Sequence, residues 1–267
     1  MKSKSFLYVL ITFLGYVPLS SCSNDDGNEP DSPNSGKCRI SSVNCETVDP
    51  DDPDYGWISY YSNFKFDSNG MIESYKEEFS DNDDVYSEHY TYSSNFIRVE
   101  DEDGATIVRY NLENGLIATG EDRWGNSWSY IYDNDNHIIK IIDGNRAFSC
   151  TWKEGNLISF TMPDNTVMNV SYTNNSNTLS FLPIGGFSMG SDERMLDNIL
   201  CSEGYFGKMP NNLPSAITGK DDRDQDYANK ISYFDFNKYG YPQTLKLDYY
   251  YSSQLGYSET YKFEWSN

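Results

Sequence analysis

The middle of the chain repeats one hydrophobic pattern about every 20 residues. Short runs in which apolar or aromatic residues alternate with polar ones recur, and a period of two is typical of half-buried β-strands. The anchors of successive runs lie 26, 20, 20, 20 and 20 residues apart, at Phe66, Tyr92, Leu112, Tyr132, Trp152 and Tyr172. A fixed spacing of this kind predicts a repeat architecture in which each unit is the same supersecondary element.

Each unit has the pattern of a strand, a turn and a strand. Asn69-Gly70, Asn114-Gly115 and Glu154-Gly155-Asn156 lie between the runs, and Asn and Gly tolerate the positive φ angles of tight hairpin turns. Tyr, Trp, Phe, Val, Ile and Thr dominate the runs, as expected for side chains that pack across a pleated sheet. The pattern predicts an all-β protein, an antiparallel meander of repeated hairpins that forms a curled sheet or a soluble, barrel-like one.

The hydrophobic period changes after this repeat. The apolar residues at helical spacing are Met195, Leu196, Ile199 and Leu200. Ser191 can cap the start of a helix and Gly204 can end it, which predicts one short helix near residues 191–202. Strands are predicted to resume at residues 231–237, 244–252 and 257–265.

The N-terminus has a different pattern. Lys2 and Lys4 precede an apolar stretch at residues 6–17, and Leu-Ser-Ser-Cys then ends at Cys22. These are the parts of a secretory signal peptide, and the apolar stretch is too short for a bilayer core of ~30 Å. Leu-Ser-Ser-Cys resembles the lipobox of bacterial lipoproteins. We therefore predict a signal peptide at residues 1–21 and a lipid on Cys22.

The residues that follow Cys22 predict a tether. Residues 23–36 are rich in Asp, Asn, Pro and Gly and contain no large apolar side chain, so they cannot bury enough surface to order themselves. We expect a disordered acidic tether over residues 22–41 and a single β domain over residues 42–267. Cys-Ser-Asn-Asp-Asp also resembles the acidic export signal of Bacteroidota surface lipoproteins, which implies exposure on the outer membrane. A tether that faces the periplasm is the alternative.

Charge excludes several partners. The chain has 20 Lys and Arg against 41 Asp and Glu, a net charge of -21, and loss of the two signal-peptide lysines makes it -23. Nucleic-acid binding needs a basic footprint, and a basic membrane patch is excluded for the same reason. The predicted outward side chains include Lys65, Glu77, Glu78, Arg109, Lys140 and Lys153. Because membrane strands need apolar outward residues, the lipid is expected to be the only membrane attachment.

Four cysteines remain after Cys22, namely Cys38, Cys45, Cys150 and Cys201. An even count in an oxidising compartment permits two disulfides, although spacing does not determine their connectivity. Cys38 with Cys45 is the favoured bridge, because it would staple a loop-rich segment at the start of the domain. The paired close spacing of a zinc site is missing.

Two catalytic patterns were considered. Gly-Phe-Ser-Met-Gly places Ser188 in a pattern like a nucleophile elbow, but an elbow belongs to an α/β sheet and its His follows the Ser. Both His89 and His137 precede Ser188, so this segment is interpreted as a connector. A pair of carboxylates could cleave glycosidic bonds, but sequence proximity identifies no such pair.

Metal binding is a second possibility. Asp222, Asp224 and Asp226 alternate as in the opening of a calcium loop. Tyr227 replaces the Gly of that loop, and Tyr233 stands where the closing Glu is needed. Calcium is the one cofactor considered, and solvated loops are the alternative.

Aromatic residues supply the remaining binding candidate. Trp124, Trp128, Tyr130 and Tyr132 form the densest cluster. Rings offer large, rigid contact area for sugars or peptides, so these four residues are a candidate ligand platform. Core packing is the alternative for the same rings, since a sheet with few helices builds its core from them.

The C-terminal third carries a family resemblance. Its residues are Gly204-Tyr205-Phe206-Gly207-Lys208, Asn211-Asn212-Leu213-Pro214, Phe234-Asp235-Phe236-Asn237 and Gly240-Tyr241-Pro242. They resemble the signature of a Bacteroidota lipoprotein family of unknown function with a porin-like fold, and the resemblance covers about residues 42–267. It implies an antiparallel sheet curled toward a barrel and no assigned catalytic residues.

Together these observations predict a noncatalytic, lipid-anchored protein of the cell envelope that binds a glycan, a peptide or a partner protein. A structural envelope lipoprotein without a specific ligand is the main alternative. A glycan-processing enzyme is the third.

Overall fold

The computed structural model describes residues 39–50, 56–80, 85–180, 182–184, 196–220 and 224–266. Within these ranges sixteen antiparallel strands follow one another in chain order, and β1 pairs with β16 to close a barrel. The sequence left closure open, and the structure decides it. Among the described residues no helix has the length and apolar character needed to cross a membrane.

The elements have the following bounds. The strands are β1 Arg39–Val48, β2 Gly56–Phe66, β3 Ile72–Phe79, β4 Val85–Tyr92, β5 Phe96–Glu100, β6 Thr106–Glu113, β7 Leu116–Asp122, β8 Ser127–Tyr132, β9 Ile138–Asp143, β10 Arg146–Lys153, β11 Asn156–Thr161, β12 Val167–Ser176, β13 Asn212–Lys220, β14 Asp226–Phe236, β15 Pro242–Tyr251 and β16 Gln254–Ser266. The helix α1 is Asn198–Ser202. We call the barrel end where β1 begins the lower end and the opposite end the upper end.

The 20-residue repeat has a structural cause at the lower end. The pairing register shifts immediately before Tyr132, Trp152 and Tyr172, as in a β-bulge. Each of these side chains then donates a hydrogen bond to a carbonyl at the start of the preceding odd-numbered strand, at 2.7–2.8 Å, the acceptors being Ile117, Ile138 and Leu157. A bulge disrupts the ladder, and the ring with a polar tip supplies a partner there. Tyr and Trp therefore suit this position at three of the six anchors, whereas Phe66 and Leu112 follow a register shift without a polar tip.

Two of the predicted turns have the expected backbone. Asn114 and Gly115 both have positive φ, and so do Glu154 and Gly155, which is the requirement of a two-residue hairpin turn. The turn after β2 is different, because Gly70 but not Asn69 has positive φ. There the Asp67 carboxylate accepts hydrogen bonds from the backbone N–H groups of Asn69 and Met71.

The barrel interior is filled by apolar and aromatic side chains. Gly120 shows how closely they fit, since a Cβ at this position would lie 2.5 Å from the Trp128 Cε2 atom on the paired strand. Interiors packed to this density respond to a single added methyl group.

The outer face carries the charged side chains. Of the predicted outward residues, Lys65, Glu78, Arg109 and Lys153 are exposed and Lys140 is half-buried. The prediction for Glu77 was wrong, because its side chain is 9% exposed and faces the interior. A buried carboxylate needs a hydrogen-bond partner, and the Tyr61 hydroxyl is one for Glu77.

The connection between β12 and β13 fills the lower end of the barrel. We call its described residues 196–211 the plug. Phe206, at 0% exposure, packs edge-on against Tyr110 and Tyr130 at 5.9 and 5.2 Å. Backbone hydrogen bonds join the plug to the wall, such as Lys208 N–H to the Asn136 carbonyl. The family-like segment Gly204–Lys208 is therefore part of the lumen.

The predicted helix is present within the plug, but its predicted cap was wrong. Helix α1 begins at Asn198, and the Asp197 carboxylate accepts from Leu200 N–H as its N-cap. Ser191 lies outside the described residues. Gly204 follows the helix with positive φ, as the sequence predicted.

Candidate functional site

The two sides of the barrel interior differ in polarity. The polar wall consists of β14–β16 and β1–β4, and its buried polar residues that face the interior are Thr47, Ser59, Glu77, Glu88, Asn229 and Glu259. The apolar wall consists of β5–β13. Among the described residues, Asp122 is its one buried polar residue. Since polar groups cost free energy in an interior unless they are paired, the polar wall is where a functional site is expected.

The upper part of the polar wall brings rings and a carboxylate together. We define the tyrosine–glutamate site as Tyr227, Asn229, Tyr249, Tyr257 and Glu259. Strand pairing sets Asn229 opposite Tyr249 and Tyr249 opposite Tyr257. The rings of Tyr249 and Tyr257 stack with centroids 4.2 Å apart. Tyr227 and Tyr257 are only partly buried, so the site reaches the upper rim of the barrel.

Glu259 is the charged group of this site. Its Oε2 atom accepts hydrogen bonds from the hydroxyls of Tyr249 and Tyr261 at 3.0 and 3.1 Å. Burial raises the pKa of Glu259 to about 7, although both hydroxyls favour the ionised form. The carboxylate therefore changes its charge close to neutral pH.

Asn229 carries an unused acceptor. Its side chain is 2% exposed, and its Oδ1 atom accepts no hydrogen bond from the described residues. A buried amide oxygen without a donor costs about 1–3 kcal/mol. Asn229 and Glu259 together make the site rich in hydrogen-bond acceptors, so the site needs groups that donate hydrogen bonds.

A second polar row continues from this site around the wall. Cys45 lies opposite Tyr261 on one side and Ser59 on the other, and burial raises the pKa of its thiol to about 12. Glu77 follows two strands farther on, opposite Tyr61. Within the described residues no Lys or Arg is buried, so the interior contains acidic groups without basic ones.

The plug adds two carboxylates at the lower end. Asp197 accepts a hydrogen bond from the Tyr90 hydroxyl at 3.0 Å. Glu203 accepts from the Tyr92 hydroxyl and from Ile72 N–H, both at 2.8 Å. Burial raises the pKa of Glu203 to about 8. These groups fasten the plug to β3 and β4, which is a structural role.

The structure does not assemble the predicted aromatic platform. Trp128 and Tyr130 are 3% and 6% exposed and pack in the core. The Tyr132 hydroxyl is used on the Ile117 carbonyl, and Trp124 is the one largely exposed ring of the four, at 54%. Trp128 and Tyr130 therefore follow the alternative, core packing, because β8 turns both side chains toward the lumen.

The calcium prediction falls partly outside the described residues, since Asp222 is not among them. The Asp226 carboxylate lies 2.9 Å from the Lys220 ammonium group, which competes with a bound cation. Asp224 is exposed. The prediction stays untested.

Another group could hold a metal in principle. Asp133, Asp135 and His137, in the turn after β8, place ligand atoms within 4.8 Å of one another. Asp133 already accepts the backbone N–H groups of Asp135 and His137, so the turn explains the geometry. The alternate spacing of Asp133, Asp135 and His137 in the sequence was a signal for this group that the sequence analysis missed.

One cysteine of the predicted disulfide lies in a strand. Cys45 is a free, buried thiol in β1. The pairing with Cys38 stays a prediction. Cys38 lies outside the described residues, as do Cys22 and Ser188.

Sequence reasoning also missed the tyrosine–glutamate site. Glu259 sits between Ser258 and Thr260 in an ordinary alternating run, Tyr257 to Tyr261. Residues 257, 259 and 261 alternate along β16 and therefore lie on the same face of the strand, and this alternation was the signal for the site that the sequence contained. The alternation alone did not identify which face of the strand was interior.

The fold and this interior define a class, a closed antiparallel barrel with a filled lower end. The sequence model described as "domain of unknown function (DUF4595) with porin-like fold" matches residues 64–244, and the chain belongs to this family. No curated protein sequence matches the chain.

One of two similar solved structures shows the same fold. A porin-like protein from Bacteroides uniformis superposes with a TM-score of 0.62 at 12% identity, over 89% of this chain and 99% of that one. A porin-like protein from Bacteroides vulgatus has a TM-score of 0.47 at 12% identity, over 84% of this chain and 98% of that one. At such identity the first likeness establishes the fold alone.

Proposed function

We propose that the protein is a lipid-anchored barrel of the cell envelope that binds a ligand noncatalytically at the tyrosine–glutamate site. Cys22 and its lipobox-like surroundings support the anchor. The fold it shares with a Bacteroides porin-like protein agrees with an envelope location. The predicted location is the outer membrane, with the barrel exposed on the cell surface.

The observation that carries the binding role is the unused acceptor of Asn229 beside the Tyr249 and Tyr257 stack. A ligand that donates hydrogen bonds would satisfy Asn229 and Glu259. Partly buried rings at the upper rim would cover its apolar surface.

The ligand class follows from charge. The buried charged residues are acidic, and the whole chain has a net charge of -21. Phosphorylated and other anionic ligands are therefore disfavoured. Neutral saccharides donate many hydroxyl protons and stack on rings, so a glycan is the favoured ligand, with a peptide as the alternative.

Two other functions remain as outcomes of the test. A structural lipoprotein would bind none of these ligands. A glycan-processing enzyme gains some support from Glu259, because a carboxyl with a pKa of about 7 suits a general acid. Such an enzyme would release product from the bound glycan.

A glycan array with the full-length chain tests the proposal. Binding should be lost in Tyr257→Ala and Glu259→Gln and retained in Tyr60→Ala, whose ring is 40% exposed on the outer face. Thermal melting of each variant checks that it folds. Blank arrays would favour the structural role, and loss only in Trp124→Ala would move the ligand to the exposed turn.

The anchor has its own experiment. Full-length protein should partition with the membrane fraction, and Cys22→Ser should abolish this partition. Protease added to intact cells should then cleave a surface-exposed barrel. A resistant barrel that is cleaved only after permeabilisation would place it on the periplasmic side.

A further inference from the structure

A second aromatic cluster lies at the lower end of the barrel. We define the rim cluster as Phe234, Phe236, Tyr239, Tyr241 and Trp265. Phe234 and Phe236 are 47% and 40% exposed at the lower end of β14. Tyr241 packs against Tyr239 and Trp265, and Trp265 also packs against the main core.

The rim cluster is built as a surface. The rings of Tyr241 and Trp265 lie 5.0 Å apart, and Trp265 Nε1 donates to the Pro242 carbonyl at 3.3 Å. Pro242 is in turn the register partner of Phe236. These contacts hold the buried Tyr241 ring and the half-buried Trp265 ring in place near the two exposed phenylalanines.

The chain reaches this rim from the predicted anchor. Arg39 begins β1 opposite Ser266, and Ile40 lies opposite Trp265. Sixteen residues separate Cys22 from Arg39. If these residues form the tether that the sequence predicts, a chain of that length has an average span of about 20–25 Å and at full extension about 60 Å. The lower rim is therefore the part of the barrel that the tether holds nearest to the bilayer.

The chemistry of the rim suits a bilayer interface. Tyr and Trp have an apolar body and a polar tip, and they concentrate at headgroup level. Phe can enter the acyl boundary. The lower ends of the strands and the turn at this rim carry two cations, Arg39 and Lys238, and two acidic residues, Asp235 and Glu264, so apolar contact rather than net charge would supply the attraction.

We propose that the rim cluster rests on the lipid bilayer in which Cys22 is anchored. This inference depends on the proposed lipid anchor and adds a second contact to it. The barrel then stands on its lower end, and the tyrosine–glutamate site at the upper end faces away from the membrane.

Depth-dependent fluorescence quenching tests this contact. Full-length lipidated protein is reconstituted into phosphatidylethanolamine and phosphatidylglycerol vesicles that contain lipids brominated in the acyl chain. The added emission of Phe236→Trp should be quenched. The matched control Val85→Trp, at the upper end of β4 and 46% exposed in the native side chain, should not lose emission.

Vesicle flotation separates the two proposals. If the protein floats but both added tryptophans remain unquenched, or are quenched equally, the anchor is supported and the rim contact is contradicted. Protein that does not float contradicts the anchor and the rim contact with it. Phe234→Ser combined with Phe236→Ser should still float but should reduce the quenching of the native tryptophan emission.

Discussion

The polar and apolar walls of the barrel fill the same interior with two different kinds of side chain. On the apolar wall, hydrophobic residues such as Ile141 and Phe148 fill the interior. On the polar wall, Glu259 and Tyr249 fill similar positions but need each other as hydrogen-bond partners. The shared strand pattern shows that the backbone does not require this difference. Polar residues retained in an interior at a cost in stability indicate a functional use.

The largest effect is expected where the plug meets the apolar wall. Phe206→Ala should lower the free energy of unfolding by about 3–5 kcal/mol, because the ring is fully buried between Tyr110 and Tyr130. Urea denaturation measures the change. The control Ile131→Ala, on the outer face of β8 and 42% exposed, should cost much less; equal costs would mean that the plug is not part of the core.

Polar-wall stability should depend on pH. Glu259 has a pKa of about 7 when folded and 4.5 as an ordinary carboxyl, so the folded state holds the proton more tightly. Its contribution to stability is greatest below pH 4.5 and falls as the pH rises to about 7. The pKa difference is about 2.5 units, so at ~1.4 kcal/mol per unit the full loss is about 3.5 kcal/mol.

Denaturation at several pH values checks this dependence. Glu259→Gln should flatten the dependence of the free energy of unfolding on pH between pH 4.5 and 7. The dependence caused by Glu203 has the same sign and should remain in this variant, up to about pH 8. The control Glu46→Gln, which changes an exposed residue of β1, should leave the slope unchanged. An unchanged slope in Glu259→Gln would contradict the burial argument.

Close packing of the apolar wall gives an effect of intermediate size. Gly120→Ala should destabilise the protein by about 1–3 kcal/mol, because the new methyl group meets the Trp128 indole. Thermal melting reports the change. The second substitution Trp128→Phe should relieve part of the clash in the double variant, and strict additivity would show that the two side chains do not meet.

The smallest effect concerns a feature that both walls share. Tyr172→Phe on β12 and Tyr233→Phe on β14 each remove one hydrogen bond to a carbonyl, of Leu157 and Pro214 respectively. Each should cost about 0.5–1.5 kcal/mol in urea denaturation. A clear difference between the two changes in the free energy of unfolding would show that the walls differ at these hydrogen-bonded positions as well as in the side chains that fill the interior.

Much of the fold was readable because its signals are local. Asn114-Gly115 and the alternation around Tyr130 each describe a few neighbouring residues, and both predictions are confirmed. The helix cap was misplaced because Asp197 and Ser191 are both good caps by type. Only the contact of Asp197 with Tyr90 distinguishes it, and that contact spans 107 residues.

The site was less predictable than the fold. Glu77 was assigned outward because an unpaired carboxylate is costly in an interior, yet Tyr61 on the neighbouring strand provides a partner. Trp128 was a platform candidate because its sequence neighbours are aromatic, yet Gly120 on β7 makes room for it inside. In both cases the deciding partner lies on another strand.

By itself the sequence determined the strands, their tight turns and the 20-residue period, because alternation and turn chemistry act over a few bonds. The tertiary structure alone decided that the sheet closes, that the segment around α1 fills its lower end, and that one wall is polar. Closure depends on pairing Arg39 with Ser266, and the polar wall depends on side chains that meet across the lumen. Such contacts join residues far apart in the chain, so no local pattern contains them.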